Sequence, residues 1–163
     1  MLDLLEISRL EAGATELAFT TVGPTELVRQ VLVSSQRENV VIETEASAPS
    51  HVVLDQRRVS QVLTNLLDNA DAYGGGALTV VVAGTSDTVF FAVDDGGPGV
   101  PEHERGYVFE RFARGETAEN APGTGLGLAL VDEHVRLHRG RVWVEDSPAG
   151  GARFVVALPK DPR

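Results

Sequence analysis

The segment from Asp55 to Tyr73 constrains the fold more than any other part of the chain. Its apolar side chains recur at the three- and four-residue spacing of one helix face, at Val59, Val62, Leu63, Leu66, Leu67 and Ala70. Asp55 is a favourable N-cap residue, and the glycines at 74–76 end the pattern. A helix with one apolar face must cover that face, so we expect it to pack on another layer of structure.

Segments rich in β-forming residues precede and follow this helix. We predict strands at 16–22, 40–46, 51–55, 77–84, 88–95, 141–146 and 152–159. Other helices are predicted from Gly23-Pro24 to about Gln36 and from the 123–131 segment to about His138. Strands and helices mix without strict alternation. The pattern therefore predicts an α/β fold with a mixed sheet covered on one face by helices.

Composition excludes several classes of protein. The chain of 163 residues, 42% apolar, is long enough for one domain with a hydrophobic core. A formal net charge of −10 argues against a general nucleic-acid or membrane-surface binder. No apolar run reaches the roughly 18 residues that span a bilayer. The sequence has no cysteine, which excludes disulfides and thiolate metal sites and fits a cytoplasmic protein.

Residues 1–13 form an arm with the pattern of a helix end. Leu4, Ile7 and Leu10 lie three apart among charged residues, and Gly13 suits a C-cap. Such a short helix is unstable alone, so we expect this to be the tail of a helix that packs on upstream structure. Residues 14–163 form the domain.

The segment "GTGLGLALV" places Gly123, Gly125 and Gly127 at the mouth of a predicted helix. Unpaired N–H groups at a helix start bind anions where no side chain intervenes, but a flexible loop before a core helix is an equal alternative. The spacing matches neither GxxxxGK[ST] nor GxGxxG. A phosphate site here would therefore be neither a P-loop nor a standard dinucleotide fold.

Asn65 and Asn69 lie four apart on one helix face. They are either surface or capping residues, or they supply amide oxygens to Mg²⁺.

Asp95 ends an apolar strand and is followed by Gly97 and Gly99. This is either a β-turn or a carboxylate that accepts a hydrogen bond from a base amine, with the glycines clearing space for the ring.

The segment "YVFERFARG" contains two aromatic and two basic residues that suggest different roles. Phe109 and Phe112 are candidate core residues. Arg111 and Arg114 lie in a polar, glycine-rich region that suits a mobile lid over an anion.

Taken together, "NLLDNADAY", "DDGGPGV", "VFERFAR" and "GTGLGLALV" resemble the N, G1, F and G2 boxes of the ATP-binding domain of bacterial two-component sensor histidine kinases. These belong to the wider group of Bergerat-fold ATPases. The resemblance covers residues 14 to about 159 and implies a two-layer α/β sandwich with a mainly antiparallel sheet. "LLEISRLEAG" resembles the end of the dimerisation hairpin, which favours sensor kinases over other members.

The resemblance implies that Mg²⁺ and ATP bind between helices and sheet. Asp95 would accept from the adenine amine, Tyr73 would lie against the ring, Asn69 would ligate Mg²⁺ and Asn65 would support the phosphates. A lid would span about 101–122, with Arg111 or Arg114 at the terminal phosphate. The ATP-binding residues would be Asn69, Tyr73, Asp95, Gly97, Gly99, Gly123, Thr124, Gly125, Leu126 and Gly127.

The implied activity is transfer of the γ-phosphoryl group to a histidine on a separate dimerisation hairpin, with a response regulator as later partner. Hydrolytic members carry glutamate at the position of Asn65, and an amide cannot take a proton from water, which favours transfer. The chain's own histidines do not match the family's acceptor motif and are expected to be structural or solvated: His51, His103, His134 and His138. The domain would lie in the cytoplasm as part of a membrane-anchored kinase.

Three positions depart from the family pattern: Ala72, Gly96 and Asp132. Ala72 replaces a basic residue that contacts phosphate, and Asp132 replaces a common lysine. Ala72 and Asp132 motivate one alternative, a nucleotide-sensing module with weak catalysis. A serine protein kinase of the anti-sigma type is another alternative, which the N-terminal arm disfavours.

Overall fold

The computed structural model describes residue 5, residues 16–110 and residues 126–163. The strands are β1 Phe19–Val22, β2 Val41–Thr44, β3 Val52–Asp55, β4 Ala77–Gly84, β5 Thr88–Asp95, β6 Arg141–Asp146 and β7 Ala152–Pro159. The helices are α1 Pro24–Ser34, α2 Gln56–Tyr73 and α3 Gly127–Leu137, with a short 3-10 helix at Glu102–Glu104. Within 16–110 and 126–163, each predicted strand and helix is present. Of the arm, only Leu5 is described, and it is helical and exposed.

Five strands form one sheet in the order β2-β4-β5-β7-β6. β2 runs parallel to β4, and the other neighbours are antiparallel, so the sheet is mixed and mainly antiparallel, as expected. β1 and β3 instead form a separate antiparallel pair. The expected mixed sheet is therefore present, and these two strands lie outside it. β3 enters α2 without a linker, which keeps it beside the start of that helix.

The core lies between the helices and one face of the main sheet. All six predicted apolar positions of α2 are buried. They share a cluster with inward-facing sheet residues such as Val82 and Phe91. A fully buried side chain of this size contributes about 1.5–3 kcal/mol. The opposite sheet face carries a smaller apolar cluster, formed by Val81, Ala92 and Val155 with Phe90 and Trp143.

Both ends of α2 are defined by polar or glycine contacts. Asp55 caps the helix because its carboxylate accepts from the Arg58 backbone N–H at 3.1 Å. At the other end, the N–H groups of Gly74 and Gly76 both donate to the Ala70 carbonyl, at 2.8 and 2.9 Å. Gly76 has a φ of +103°, which favours glycine. The chain therefore turns directly from α2 into β4.

Residues 101–110, the first part of the predicted lid, are packed against the sheet. Val108 and Phe109 pack against the main core, and the Phe109 ring meets Phe154 edge-on at 6.1 Å. Arg105 donates to the Val100 carbonyl at 3.0 Å and pairs with Asp146 at 2.6 Å. Phe109 is thus a core residue, and the bounds of the lid stay a prediction.

Candidate functional site

Asp95 is a buried carboxylate at the end of β5, only 4% exposed. Its Oδ1 accepts two backbone hydrogen bonds, from Gly97 N–H at 3.0 Å and from Ala152 N–H at 3.1 Å. Among the described residues, Oδ2 accepts none. The carboxylate is therefore held in place through one oxygen, while the other can accept from a ligand.

Three glycines surround this carboxylate closely. A Cβ at Gly74 would lie 2.4 Å from Asp95 Cγ, and one at Gly151 would lie 2.3 Å from Asp95 Oδ1. A Cβ at Gly97 would lie 2.5 Å from Gly74 Cα. Gly97 is thus required by backbone packing rather than by space for a ring. Gly99 has a φ of +77°, which supplies a conformational reason for glycine there.

Gly74 and Gly151 are site residues that sequence reasoning misses. Their only signal is their place in two turns rich in small residues, "GGG" at 74–76 and "SPAGG" at 147–151. The turns themselves are correctly predicted. What they pack against depends on distant parts of the chain.

Asn65 and Asn69 lie on the same side of α2 but differ in their contacts. Asn65 accepts from Gln61 at 3.0 Å and donates to the Gly127 carbonyl at 3.3 Å, so it joins α2 to the first residue of α3. The Asn69 amide forms no hydrogen bond with any described residue, and its side chain is partly exposed. Of the two amides, Asn69 therefore has the oxygen available for a cation.

Tyr73 adjoins Asp95 through Gly74, and Gly127 adjoins Asn65. Tyr73 is the last residue of α2 and immediately precedes Gly74, which packs on Asp95. Leu126 is buried with Ala129 and Leu130 and anchors the start of α3. An added Cβ at Gly127 would meet no described atom within 4 Å, so the first turn of α3 has open space beside it.

Five of the predicted site residues lie outside the described residues: Arg111, Arg114, Gly123, Thr124 and Gly125. Their roles at the phosphates remain predictions.

Divalent cation binding by carboxylates and imidazoles alone is not supported. Within 16–110 and 126–163, no group of three or more His, Cys, Asp or Glu side chains could hold a metal. Mg²⁺ accepts oxygen ligands, retains waters and commonly shares them with substrate phosphates. Asn69 with phosphate and water oxygens fits that ligand set.

The departures from the family pattern have local explanations at two positions. Asp132 pairs with Arg136 one turn later in α3, at 3.0 Å. A Cβ at Gly96 would approach Leu78 Cδ1 to 3.2 Å, so a larger residue there would require Leu78 to shift. No contact in the structure explains Ala72.

Comparison with known proteins identifies the family of this chain. Residues 54–162 match the family described as "Histidine kinase-, DNA gyrase B-, and HSP90-like ATPase". The signal transduction histidine-protein kinase AfsQ2 of Streptomyces coelicolor is 32% identical over 161 residues, which is 98% of this chain and 30% of AfsQ2. The chain spans less than a third of the length of the curated relatives it matches.

Solved structures show the same relationship. The ATP-binding domain of PrrB from Mycobacterium tuberculosis superimposes with a TM-score of 0.67 at 33% identity, over 86% of this chain and 96% of that one. The histidine kinase ThkA, solved in complex with the response regulator protein TrrA, gives a TM-score of 0.75 at 25% identity, over 98% and 48%.

The chain belongs to the histidine kinase-, DNA gyrase B- and HSP90-like ATPase family. Within that family, its relatives are histidine kinases and its structural neighbours are their ATP-binding catalytic domains. Among the described helices, none has the length and hydropathy to cross a membrane.

Proposed function

We propose that this domain binds ATP with Mg²⁺ between α2, α3 and the end of β5, and donates the γ-phosphoryl group to a histidine on a separate dimerisation hairpin. The response regulator of the pathway would then receive the group, by analogy with ThkA, which forms a complex with the response regulator protein TrrA. The domain would work in the cytoplasm. It would not bind nucleic acid, in keeping with its net charge of −10.

The observation that carries the proposal is the fixed carboxylate of Asp95. Oδ1 is occupied by two backbone N–H groups, which leaves Oδ2 as an acceptor with a set direction. A carboxylate cannot donate, so it suits the exocyclic amine of adenine and not the carbonyl of guanine. Tyr73, one residue from Gly74, is the aromatic side chain we assign to the ring face.

The triphosphate would lie between Asn69 and the first turn of α3. Unpaired N–H groups at a helix start attract anions, and Gly127 leaves space beside them. Mg²⁺, held by Asn69 and the phosphates, would neutralise charge that develops during transfer. Arg111 or Arg114 would contact the terminal phosphate.

In the transfer step, a nitrogen of the acceptor histidine forms a bond to the γ-phosphorus while the bond to the β–γ bridging oxygen breaks and ADP leaves. Asn65 supports transfer over hydrolysis because its amide cannot accept a proton from water. His134 and His138 are not the acceptor in our proposal, since each is only 1% exposed. His51 and His103 are exposed, but their sequence surroundings do not match the acceptor motif of the family.

Titration calorimetry with ATP, with and without Mg²⁺, tests the proposal. We expect binding that Mg²⁺ strengthens, and we expect Asn69→Ala to abolish that strengthening while metal-free binding persists. Asp68→Ala is the matched control, because Asp68 is its exposed neighbour and pairs with Arg37. Absence of ATP binding in the unmodified chain would refute the proposal. Acid-stable label on a protein substrate would favour the serine kinase alternative instead.

A further inference from the structure

A second polar cluster lies at the far end of α2 and α3 from the proposed nucleotide site. Its four members are almost fully shielded from solvent, with exposures between 1% and 9%: Asp55, Arg58, His134 and His138. Burial of polar groups costs free energy unless they are well paired, and apolar residues of similar volume would fill the same space. The cluster therefore needs an explanation beyond packing.

His138 forms two hydrogen bonds that together determine its protonation state. Its Nε2 lies 3.1 Å from the Asp55 backbone nitrogen, and its Nδ1 lies 2.8 Å from the His134 carbonyl oxygen. A backbone N–H can only donate, so Nε2 is the acceptor and Nδ1 carries the hydrogen. The ring is neutral, in agreement with the lowering of the His138 pKa by burial.

Asp55 joins three elements through this cluster. Its backbone N–H bonds His138 at the end of α3, and one carboxylate oxygen caps α2. The other oxygen accepts from the Ala18 N–H at 3.0 Å and pairs with Arg58 Nε at 3.3 Å. Arg58 in turn approaches His134 Nδ1 to 3.4 Å. The Phe19 and His138 rings also form a T-shaped pair, with centroids 5.9 Å apart.

The cluster and the nucleotide site occupy opposite ends of one pair of antiparallel helices. Arg58 contacts His134, and Asn65 contacts Gly127. Asn65 follows Arg58 by seven residues in α2, whereas Gly127 precedes His134 by seven residues in α3. Seven residues of helix span about 10 Å. A tilt or slide of α3 at the cluster would therefore move its first turn relative to Asn69.

We propose that His138 is a positioning residue for the nucleotide site: with Asp55 and Arg58 it fixes the register of α3 against α2, and so sets the gap between Asn69 and the first-turn amides of α3. This inference rests on the proposed function, because it assumes that nucleotide phosphates bind in that gap.

The affinity for Mg²⁺-ATP in two variants of one residue tests this role. His138→Leu removes both hydrogen bonds, and we expect it to weaken binding about tenfold in a protein that still melts cooperatively. His138→Gln retains one acceptor and one donor, and we expect its affinity within about threefold of the unmodified chain. His51→Leu, at an exposed histidine, is the matched control with unchanged affinity. Equal binding by the Leu and Gln variants would overturn the proposal.

Imidazole nitrogen NMR on the unmodified chain gives an answer even if His138→Leu fails to fold. In our proposal the phosphates act on the first turn of α3 while His138 holds the other end of the same helix, so binding at one end should alter the hydrogen bonds of His138 at the other. We expect Mg²⁺-ADP to shift the His138 signals and to leave those of His51 in place. Nucleotide binding without any shift at His138 would overturn the positioning role of His138 and leave the proposed function intact. Absence of nucleotide binding would remove the proposed function and this inference together.

Discussion

The side-chain amide of Asn65 donates to the carbonyl oxygen of Gly127 across 3.3 Å, which connects the middle of α2 to the first residue of α3. The same amide accepts from Gln61 with its oxygen, so both ends of the side chain are used. The residue expected to support phosphates therefore also holds the helix start to which those phosphates would bind.

Substitution Asn65→Asp should loosen this helix start. A carboxylate cannot donate to the Gly127 carbonyl and would place an anionic oxygen against it, at a cost of about 1–3 kcal/mol in the free energy of unfolding. Hydrogen exchange of the first-turn amides of α3 should accelerate. Thr64→Val is the control, since the Thr64 hydroxyl donates within α2, to Ser60 O at 2.9 Å. Unchanged exchange in Asn65→Asp would contradict the assigned contact.

Asp95→Asn should alter the choice of base. The amide oxygen can still accept from Gly97 and Ala152, which places the amide nitrogen where Oδ2 now lies. Loss of a charge-assisted hydrogen bond, worth about 1.5–3 kcal/mol, predicts ATP affinity about 10- to 100-fold lower. The new N–H₂ group suits the carbonyl of guanine, so the ratio of ATP to GTP affinity should fall in calorimetry.

The neighbouring carboxylate supplies the control. Asp94 points to the opposite sheet face, is equally buried and pairs with Arg153 through two contacts of 2.7 and 2.8 Å. This pair raises the pKa of Arg153. Asp94→Asn should lower stability and leave the ATP to GTP ratio unchanged; an equal change of ratio in both variants would refute the assignment to Asp95.

Gly151→Ala should damage the site and the fold together. Its Cβ would lie 2.3 Å from Asp95 Oδ1 and 2.6 Å from Gly97 N, so the carboxylate must move. Overpacking of this kind costs about 1–3 kcal/mol, and ATP affinity should fall with it. Gly150→Ala is the matched control in the same turn. Gly150 has a φ of +97°, and an added Cβ there would meet no described atom within 4 Å. Alanine at Gly150 should therefore lower the melting temperature through backbone strain, without a loss of ATP affinity.

Stability should fall as the pH drops from 6.5 towards 4. Burial, and next the Arg58 guanidinium, lower the pKa of His134 from 6.5 to about 4. Between these values the unfolded chain binds more protons than the folded one. The contribution of His134 to the free energy of unfolding is therefore fully present above pH 6.5 and declines below it. The shift corresponds to about 3 kcal/mol over that window.

Urea unfolding at several pH values measures this dependence. His134→Gln should unfold with a shallower pH dependence between 6.5 and 4, whereas His51→Gln, at an exposed position, should follow the unmodified chain. Parallel curves for His134→Gln and the unmodified chain would show that another group causes the decline.

Local patterns in the sequence predict the helices and strands well, because periodicity reports which side of an element is buried. The end of α1 at Ser34 rather than Gln36 is a small error. Pairing is harder to predict: the β-forming residues within 51–55 indicate a strand but not its partner, so the separate β1–β3 pair does not follow from the sequence pattern.

The same limit applies to the site. Asp95 and Asn69 are identifiable because their chemistry is carried by the residue itself. Gly74 and Gly151 are not, because their importance arises from contact with a carboxylate that is distant in sequence. The engagement of Asn65 with both Gln61 and α3 likewise depends on how two helices pack.

Asp55 is both the final residue of β3 and the cap of α2, and the two elements share it without a linker. An engineered insertion at this junction would separate the cap from its helix and Ala18 from its acceptor. The residues of the turn at 85–87 are all exposed, and this turn joins β4 to β5 without capping a helix. A reporter domain or affinity tag placed inside this chain belongs in that turn, and residues 52–73 should be transferred between chimeric kinases only as a single block.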